Sequence, residues 1–260
     1  MMRSLWISKT GMEAQQMQLD HISNNLSNVS TAGYKRTHAQ FEDLMYQNLR
    51  QSGAPQTEQT TLPTGLQVGL GVRPVASSRT FSQGNLQQSD NALDIAILGD
   101  GFFQIQRADG TTAYTRDGQF KLDANGQMVT NNGDTLLPGI TVPPNARQIS
   151  IGQDGTVSAV VGGSTTPQTL GQAQLANFIN PNGLQAQGGN LFSETASSGA
   201  PQVGNPGTNA LGNIKQGHIE TSNVNVVEEL VQMITTQRAY ELNSKAVQTS
   251  DQMLQRLSQL

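Results

Sequence analysis

The sequence contains few residues arranged for metal chemistry. The three histidines stand at positions 21, 38 and 218, and none of them has the spacing of a zinc site. Cysteine is absent, which excludes thiolate ligands and disulfide bonds. Asp123-Ala124-Asn125-Gly126 resembles the start of a calcium loop, but no glutamate follows at the twelfth position of that loop. We therefore expect no metal site and interpret the Asp123 segment as a hairpin turn.

Motifs for nucleotide binding and hydrolysis are also incomplete. Gly69-Leu70-Gly71 begins like a dinucleotide-binding loop, but Pro74 stands where a third glycine is required. No Gly-x-Ser-x-Gly occurs, so a nucleophile elbow is not indicated. The acidic residues are scattered singly, so no carboxylate pair for glycoside hydrolysis can be nominated. We predict that the chain is not an enzyme and binds no cofactor.

The composition is that of a subunit more than of a free globular protein. Charged residues make up 13% of the 260 residues, against about 25% in ordinary globular chains. A surface so short of charge suits a protein that its neighbours largely cover. The net charge of -4 argues against a nucleic-acid partner. The start of the chain lacks the apolar run of a Sec signal, and no stretch has the ~18 apolar residues of a membrane span, so we expect no membrane insertion.

A helix is predicted over residues 4–32, because apolar residues recur there with coiled-coil spacing. One column repeats every seven residues, and the neighbouring column is apolar only in its second half. Gly33 follows as a natural helix stop. We expect these columns to form a seam that is buried on assembly, and their members are Leu5, Met12, Leu19 and Leu26 with Ile22 and Val29 beside them.

A second long helix is predicted from residue 225 to the end of the sequence. Asn225 and Glu228 have the spacing of a capping box, and neither Gly nor Pro occurs in the residues after them. A long amphipathic helix on a domain core would explain the pattern, but matching heptads at both ends favour a coiled coil. The predicted seam consists of Met233, Tyr240, Val247 and Leu254, with Leu230 and Ile234 widening it near the start.

The middle of the chain differs from its ends, so an α+β fold is predicted. Residues 34–75 are polar and rich in Pro and Gly, which predicts an irregular, extended arm. Residues 76–223 are predicted to form a central all-β domain, because short strand-like runs alternate with turn signals. Residues 1–33 and 224–260 would together form a coiled-coil-like terminal domain. The turn signals are Asp109-Gly110, Asp117-Gly118, Asn125-Gly126, Asn132-Gly133 and Asp154-Gly155.

Three segments resemble the flagellar axial proteins, the rod and hook family. They are HISNNLSNVSTAGYKR at residues 21–36, DIAILGDGFFQIQ with AYTRDGQFKLDANGQMVT within 94–130, and ETSNVNVVEELVQMITTQRAYELNSKAVQTSDQMLQ at 220–255. They stand in the family's order, so the resemblance covers essentially the whole chain. The motif residues carried over are Asn24, Asn25, Leu26, Asn28, Gly33, Tyr34 and Lys35, and Arg238 within Gln-Arg-Ala-Tyr-Glu.

Within the family, the resemblance is closest to the distal-rod members. Residues 46–73 resemble the extra segment of those members, and the length leaves no room for the added outer domain of hook proteins. The Pro and Gly positions of this rod-specific arm are Pro55, Pro63, Gly65, Gly69 and Gly71.

The resemblance implies a structural subunit of a helical, hollow and rigid drive shaft. Such a shaft would span the periplasm in the basal body, transmit torque to the hook and conduct exported axial proteins. The terminal helices would form the inner tube and the β domain the outer surface. The implied partners are other copies of this chain, proximal rod proteins, hook protein, the P- and L-ring proteins, the rod cap and the flagellar type III export apparatus, with no cleaved Sec signal. The alternatives are a proximal rod or tail-fibre-like subunit and, in another class, a peptidoglycan hydrolase.

Overall fold

The chain combines helical ends with a β-rich middle, which confirms the predicted α+β class. The computed structural model describes residues 2–52, 55–57, 60–61, 64–162 and 166–258. Two compact units alternate along the sequence. The first unit comprises Met1–Leu26, Thr37–Ser78 and Asn225–Leu260, and the second comprises Ser27–Arg36 and Arg79–Val224.

The first unit contains two long helices, α1 at Met2–Ser27 and α2 at Val226–Ser258. The predicted start of α2 is confirmed, because the Val227 N–H donates to Asn225 Oδ1 over 3.1 Å. The predicted end of the first helix near residue 32 is wrong. Asn28 opens a turn there, in which the Thr31 N–H donates to Asn28 O and the Thr31 hydroxyl donates to Asn28 Oδ1. These local bonds compete with the helix, so it ends five residues earlier than predicted.

The arm in the first unit is extended, as predicted, but it is not irregular. It forms a two-stranded ribbon in which β1 (Thr37–Asp43) pairs with β6 (Val72–Arg79) and β2 (Tyr46–Arg50) pairs antiparallel with β5 (Leu66–Gly69). Further along, β3 (Pro55–Thr57) pairs antiparallel with β4 (Thr60–Thr61). Both strands of a two-stranded ribbon are edge strands, where proline is tolerated. For this reason the Pro-rich composition did not prevent strand pairing.

The second unit consists almost entirely of short strands. The strands are β7 Leu86–Gln88, β8 Ile95–Leu98, β9 Phe102–Gln106, β10 Thr112–Thr115, β11 Lys121–Leu122, β12 Met128–Val129, β13 Thr135–Leu137, β14 Ala146–Ile151, β15 Thr156–Val161, β16 Gln168–Gln172, β17 Leu175–Asn177, β18 Gln185–Gly188, β19 Leu191–Ser193, β20 Gln202–Gly204, β21 Asn213–Gln216 and β22 His218–Glu220. The largest sheet has nine strands, in the order β11-β12-β13-β9-β10-β19-β18, with β17 joining β9 to β20. The three-stranded sheet β14-β15-β16 and the pairs β21-β8 and β22-β7 complete the unit.

Two apolar clusters form the core of the second unit. Strand β9 contributes to both, because successive side chains of a strand point to opposite faces of the sheet. Phe103 packs edge-to-face on Phe120 in the larger cluster. Phe102 lies in the smaller, aromatic cluster, whose other members include Phe81, Tyr114, Phe178 and Phe192.

Four of the five predicted hairpin turns are confirmed. Their glycines, at positions 110, 126, 133 and 155, have positive φ angles and lie between paired strands. The prediction for Asp117-Gly118 is wrong. The Ile95 N–H donates to Gly118 O, and a Cβ atom on Gly118 would lie 1.5 Å from Ile95 O. This glycine therefore permits two backbone segments to approach each other closely and does not form a hairpin.

Candidate assembly surfaces

Helices α1 and α2 pack antiparallel, in a register that repeats every seven residues. Ser4 Oγ lies 3.4 Å from Ser250 Oγ. Seven residues further along α1, a Cβ atom on Gly11 would lie 3.0 Å from Asn243 Nδ2, and Asn243 is seven residues before Ser250. Fourteen residues beyond Gly11, Asn25 Nδ2 donates to Glu229 Oε2 over 3.3 Å. These contacts have the predicted heptad period, but small and polar residues outside the predicted apolar columns form them.

The residues predicted for the seam flank this polar contact line. On α1, Ile22 is fully buried, whereas Leu5, Met12, Leu19 and Leu26 are half-buried. Val29 lies beyond the end of α1 and does not continue the helical column. On α2, Met233, Val247 and Leu254 are half-buried, and Leu230, Ile234, Tyr240 and Arg238 are exposed. Arg238 pairs at the surface with Glu241.

Asn25 joins three elements of the first unit. Its Nδ2 donates to Thr37 O over 2.8 Å, and its Oδ1 accepts the Thr37 N–H over 2.9 Å. The side-chain amide thus pairs with β1 as another peptide group would, and it also contacts Glu229 of α2. His21 Nδ1 lies 3.2 Å from the Thr37 hydroxyl. Asn25 and Glu229 are almost completely buried, so this cluster fixes the register of helix against helix and of helix against ribbon.

An apolar stripe on α2 lies on the side of the helix away from Glu229. Its members follow the spacing i, i+3, i+4 and i+7, which places them on one helical face. They are Val227 at 70% exposure, Leu230 at 42%, Val231 at 55% and Ile234 at 58%. Glu228, in the same first turn, is exposed. We call the four apolar residues the α2 stripe.

The ribbon also exposes large apolar side chains. Met45, Tyr46, Leu49 and Leu66 are all more than half exposed, although they lie on or beside paired strands. A two-stranded ribbon has little stability of its own in water. This surface therefore has the character of one that packs on another protein surface.

Two of the arm glycines stand where a Cβ atom would come too close to a neighbouring atom. Gly71 has a φ of 120°, and a Cβ atom there would lie 2.2 Å from the Thr10 hydroxyl of α1. A Cβ atom on Gly65 would lie 2.8 Å from Arg50 O across the hairpin. A Cβ atom on Gly69 would make only an ordinary contact with the ring of Tyr46, so the space there does not require glycine. Pro55 begins β3, and Pro63 lies outside the described residues.

The second half of the N-terminal motif leads into a buried ionic cluster of the second unit. Lys35 Nζ donates to Glu220 Oε1 over 2.6 Å and to Ser82 O over 2.7 Å. Arg116 Nη1 donates to Glu220 Oε2 over 3.4 Å. Burial lowers the pKa of Lys35 and of Arg116, and the charge of Glu220 opposes both shifts. We call Lys35, Arg116 and Glu220 the buried triad.

The other motif residues stand around these clusters. Gly33 has a φ of 68° and lies so close to Asp117 N that a Cβ atom would be 2.6 Å away. Asn28 forms the turn after α1, Tyr34 is half-buried, and Asn24 is exposed on α1. The sequence patterns did not identify Thr37, Glu229, Arg116 or Glu220 as partners of the motif. Glu220 does open the third family-like segment, so its position carried a signal.

No group of acidic, His or Cys side chains in the described ranges could hold a metal ion. None of the helices that the structure describes combines the length and the apolar character needed to cross a membrane.

Three family models match the chain. They are "Flagella basal body rod protein" at residues 5–35, "Flagellar hook protein FlgE/F/G D1 domain" at 96–159 and "Flagellar basal body rod FlgEFG protein C-terminal" at 215–260. The flagellar basal-body rod protein FlgG of Buchnera aphidicola subsp. Schizaphis graminum is 58% identical over the full length of both chains. FlgG of Borreliella burgdorferi is 51% identical over 98% of this chain and 97% of its own. FlgG of Agrobacterium fabrum is 47% identical over 97% of each.

Proposed function

Because this chain belongs to the FlgG family of flagellar basal-body rod proteins, we propose that its copies polymerise helically into a hollow, rigid drive shaft. The chain is a structural subunit of the flagellar distal rod. We propose further that the shaft transmits torque to the hook, conducts exported axial proteins and has no catalytic role. The single observation that supports self-assembly best is the exposed α2 stripe.

The size of the stripe supports an interface between copies. Complete burial of a Val, Leu or Ile side chain stabilises a protein by about 1.5–3 kcal/mol. The four stripe residues are roughly half exposed, so covering them would contribute about 4 kcal/mol per copy. A contribution of this size, repeated at every subunit, offsets part of the entropy that is lost on association and ordering. The predicted seam residues Leu5, Met12 and Leu254, each half-buried, add further apolar surface.

The polar contact between α1 and α2 is consistent with assembly-dependent order. Ser, Gly and Asn residues set the register of α1 against α2, but these residues bury little apolar area. We propose that residues 1–33 and 224–260 form the inner tube of the shaft and residues 76–223 form its outer surface. The scarcity of charge suits a channel wall along which other chains must pass.

The ribbon within residues 34–75 is proposed to stiffen the shaft. Its exposed Met45, Leu49 and Leu66 would pack on a neighbouring copy and fill the gap between protofilaments. A filled gap cannot open and close as the shaft turns, so the polymer stays straight.

The remaining features depend on the place of such a shaft in the cell. Family members assemble with other flagellar components. We propose that this chain joins proximal rod proteins below and hook protein above, inside the P- and L-rings, with the rod cap guiding assembly. We also propose that the chain reaches the periplasm through the flagellar type III export apparatus, without a cleaved Sec signal.

The decisive experiment places charge in the α2 stripe. Leu230→Asp and Ile234→Asp would be introduced together in cells that lack the native gene copy. We expect soluble, folded subunits, no distal rod in electron micrographs of basal bodies, and no swimming. Gln248→Asp together with Gln252→Asp is the control, because this pair adds the same two charges to exposed positions on α2 at least fourteen residues away. Normal rods with the double variant would show that the stripe is not an interface.

A further inference from the structure

The lining of a small cavity in the second unit includes the side chain of Arg79 and, among the described residues, no acidic one. The volume of the cavity is about 210 Å³. Tyr34 and Arg79 line it together with Phe192 and the turn at Gly188, Gly189 and Asn190. All three turn residues have positive φ angles. A Cβ atom placed on Gly188 would have no other atom within 4 Å. The cavity is therefore open to an incoming side chain next to this turn.

Arg79 lines this cavity, and it has no anionic partner among the residues that the structure describes. Its guanidinium carbon lies 5.0 Å from the ring centroid of Phe192, which is itself buried. Among the described residues its guanidinium forms no hydrogen bond and no ion pair. Burial lowers the pKa of Arg79, and of the described groups only Tyr34 opposes this shift. A planar guanidinium has five donors arranged to bind a carboxylate by two parallel hydrogen bonds.

The other cations of this region, Lys35 and Arg116, already have carboxylate partners. Lys35 lines the cavity and shares the single carboxylate of Glu220 with Arg116. Asp100 acts on both of these cations but lies at an exposed position. Glu220 and Asp100 thus act on Lys35 and Arg116, whereas neither carboxylate acts on Arg79. A carboxylate that entered the cavity would supply acceptors to the Arg79 guanidinium.

We propose that this cavity is a socket for a carboxylate side chain of a second copy of the chain. This inference rests on the proposed self-assembly and names one contact within it. The volume admits one side chain and excludes a larger element. The chain carries 19 acidic against 15 basic residues, so carboxylates are in excess on each copy. Asp20 and Asp90 are exposed and form no hydrogen bond or ion pair with any described residue, so they are the first candidates.

The socket itself is tested on the purified chain with acetate as the probe. We expect backbone amide NMR signals of Gly189 and Phe192 to shift saturably with sodium acetate and not with sodium chloride at equal ionic strength. Arg79→Met keeps an apolar stem on Phe192 and should weaken acetate binding about tenfold or more, since a charge-assisted hydrogen bond is lost. An absent acetate effect, or an equal effect in the Met variant, overturns the proposal.

The second copy is tested by disulfide capture, which is clean because the chain contains no cysteine. Arg79→Cys and either Asp20→Cys or Asp90→Cys would be expressed in separate copies beside unmodified chain, and assembled rods would be oxidised. We expect the cysteine at position 79 to form a disulfide-linked dimer with the cysteine at one acidic position. If neither position 20 nor position 90 cross-links, the experiment is repeated with cysteine at each of the other Asp and Glu positions. The exposed Arg147→Cys should give no dimer with the acidic position that cross-links to position 79.

The outcomes separate the two proposals. Normal rods in which no acidic position cross-links to position 79 overturn the socket and leave self-assembly intact. Failure of the unmodified chain to form any rod would instead overturn the proposed function, whatever acetate does to the monomer.

Discussion

Replacing Glu220 by glutamine should cost the second unit a large part of its stability. The Glu220 side chain is fully buried, with Oε1 accepting from Lys35 Nζ and from the Gly84 N–H, and Oε2 accepting from Arg116. The substitution leaves two buried cations without a carboxylate between them. Removing one partner of a buried ion pair typically costs about 3–5 kcal/mol. The whole stability of a domain is only about 5–15 kcal/mol, so we expect a partly unfolded variant at physiological temperature.

Replacing Lys35 by methionine should cost less, although it removes the shorter ion pair. Burial lowers the pKa of Lys35 in spite of Glu220, so the site disfavours the lysine charge overall. The variant would leave one cation, Arg116, with one anion, Glu220. Ser82 O would keep the hydrogen bond from Asn223 Nδ2. We expect a loss of about 1–2 kcal/mol, typical of one charged hydrogen bond.

The assay is urea denaturation followed by near-ultraviolet circular dichroism. Tyr114 packs edge-to-face on Phe178 in the core of the second unit, so its signal reports that core. Glu241→Gln is the control, because it breaks an exposed pair with Arg238 that contributes about 0–1 kcal/mol. Both expected values depend on two buried cations, Lys35 and Arg116, sharing the one buried carboxylate of Glu220. If Lys35→Met lowers the free energy of unfolding as much as Glu220→Gln or more, that argument is refuted.

Lys35 should also give the second unit a pH-dependent stability. Because the pKa of Lys35 is lowered from 10.5 in the folded chain, the unfolded chain binds this proton more tightly. The penalty for the charged lysine is fully present below the folded pKa and disappears above 10.5. Stability should therefore gain a rising contribution as pH increases between these two values. Lys35→Met should lack that contribution, and an unchanged slope in the variant would contradict the assignment.

Three further predictions concern the first unit. Leu254→Asp should leave the second unit folded, as judged by near-ultraviolet circular dichroism, but abolish rods and motility, because a buried unpaired charge costs several kcal/mol; normal motility would remove Leu254 from the seam. Deleting residues 53–65 would join Ser52 to Leu66 and shorten the ribbon, so exported rods should curve in electron micrographs; rods as straight as the parent's would reject the stiffening role. Asn225→Ala should lower helix stability by about 1 kcal/mol in urea titrations, since the α2 cap is lost; an unchanged midpoint would show that the cap contributes nothing.

The sequence predicted the features that depend on neighbouring residues. Asn225 caps α2 because its side chain needs only the N–H group two residues away. The Asn125-Gly126 and Asn132-Gly133 turns need only a glycine with positive φ between two strands. Each of these signals lies within a few residues, so no knowledge of the tertiary fold was needed. Strand pairing in the ribbon was missed because Pro and Gly weaken the strand signal, although edge strands tolerate both.

The features that were missed depend on residues far apart in the sequence. Lys35 and Glu220 are separated by 185 positions, and neither residue type indicates burial on its own. The polar contact line between the helices was not predicted, because hydrophobic periodicity is defined by apolar residues alone. Ser4, Gly11 and Asn25 have the same seven-residue period, but their small polar side chains add nothing to that signal.

The polar contact line between α1 and α2 explains how the two helices avoid pairing in a shifted register. A seam of Leu and Val would hold α1 and α2 together strongly but would tolerate a shift of one heptad, because each apolar layer resembles the next. Asn25, in contrast, satisfies both Thr37 and Glu229 in one register only, and a shift would bury unpaired polar groups. The polar line thus specifies the pairing within a copy, while the α2 stripe leaves its apolar area exposed for the contacts between copies that we propose. If apolar residues formed the contact line between α1 and α2 and polar residues stood in the α2 stripe, we would expect a more stable monomer and a weaker polymer.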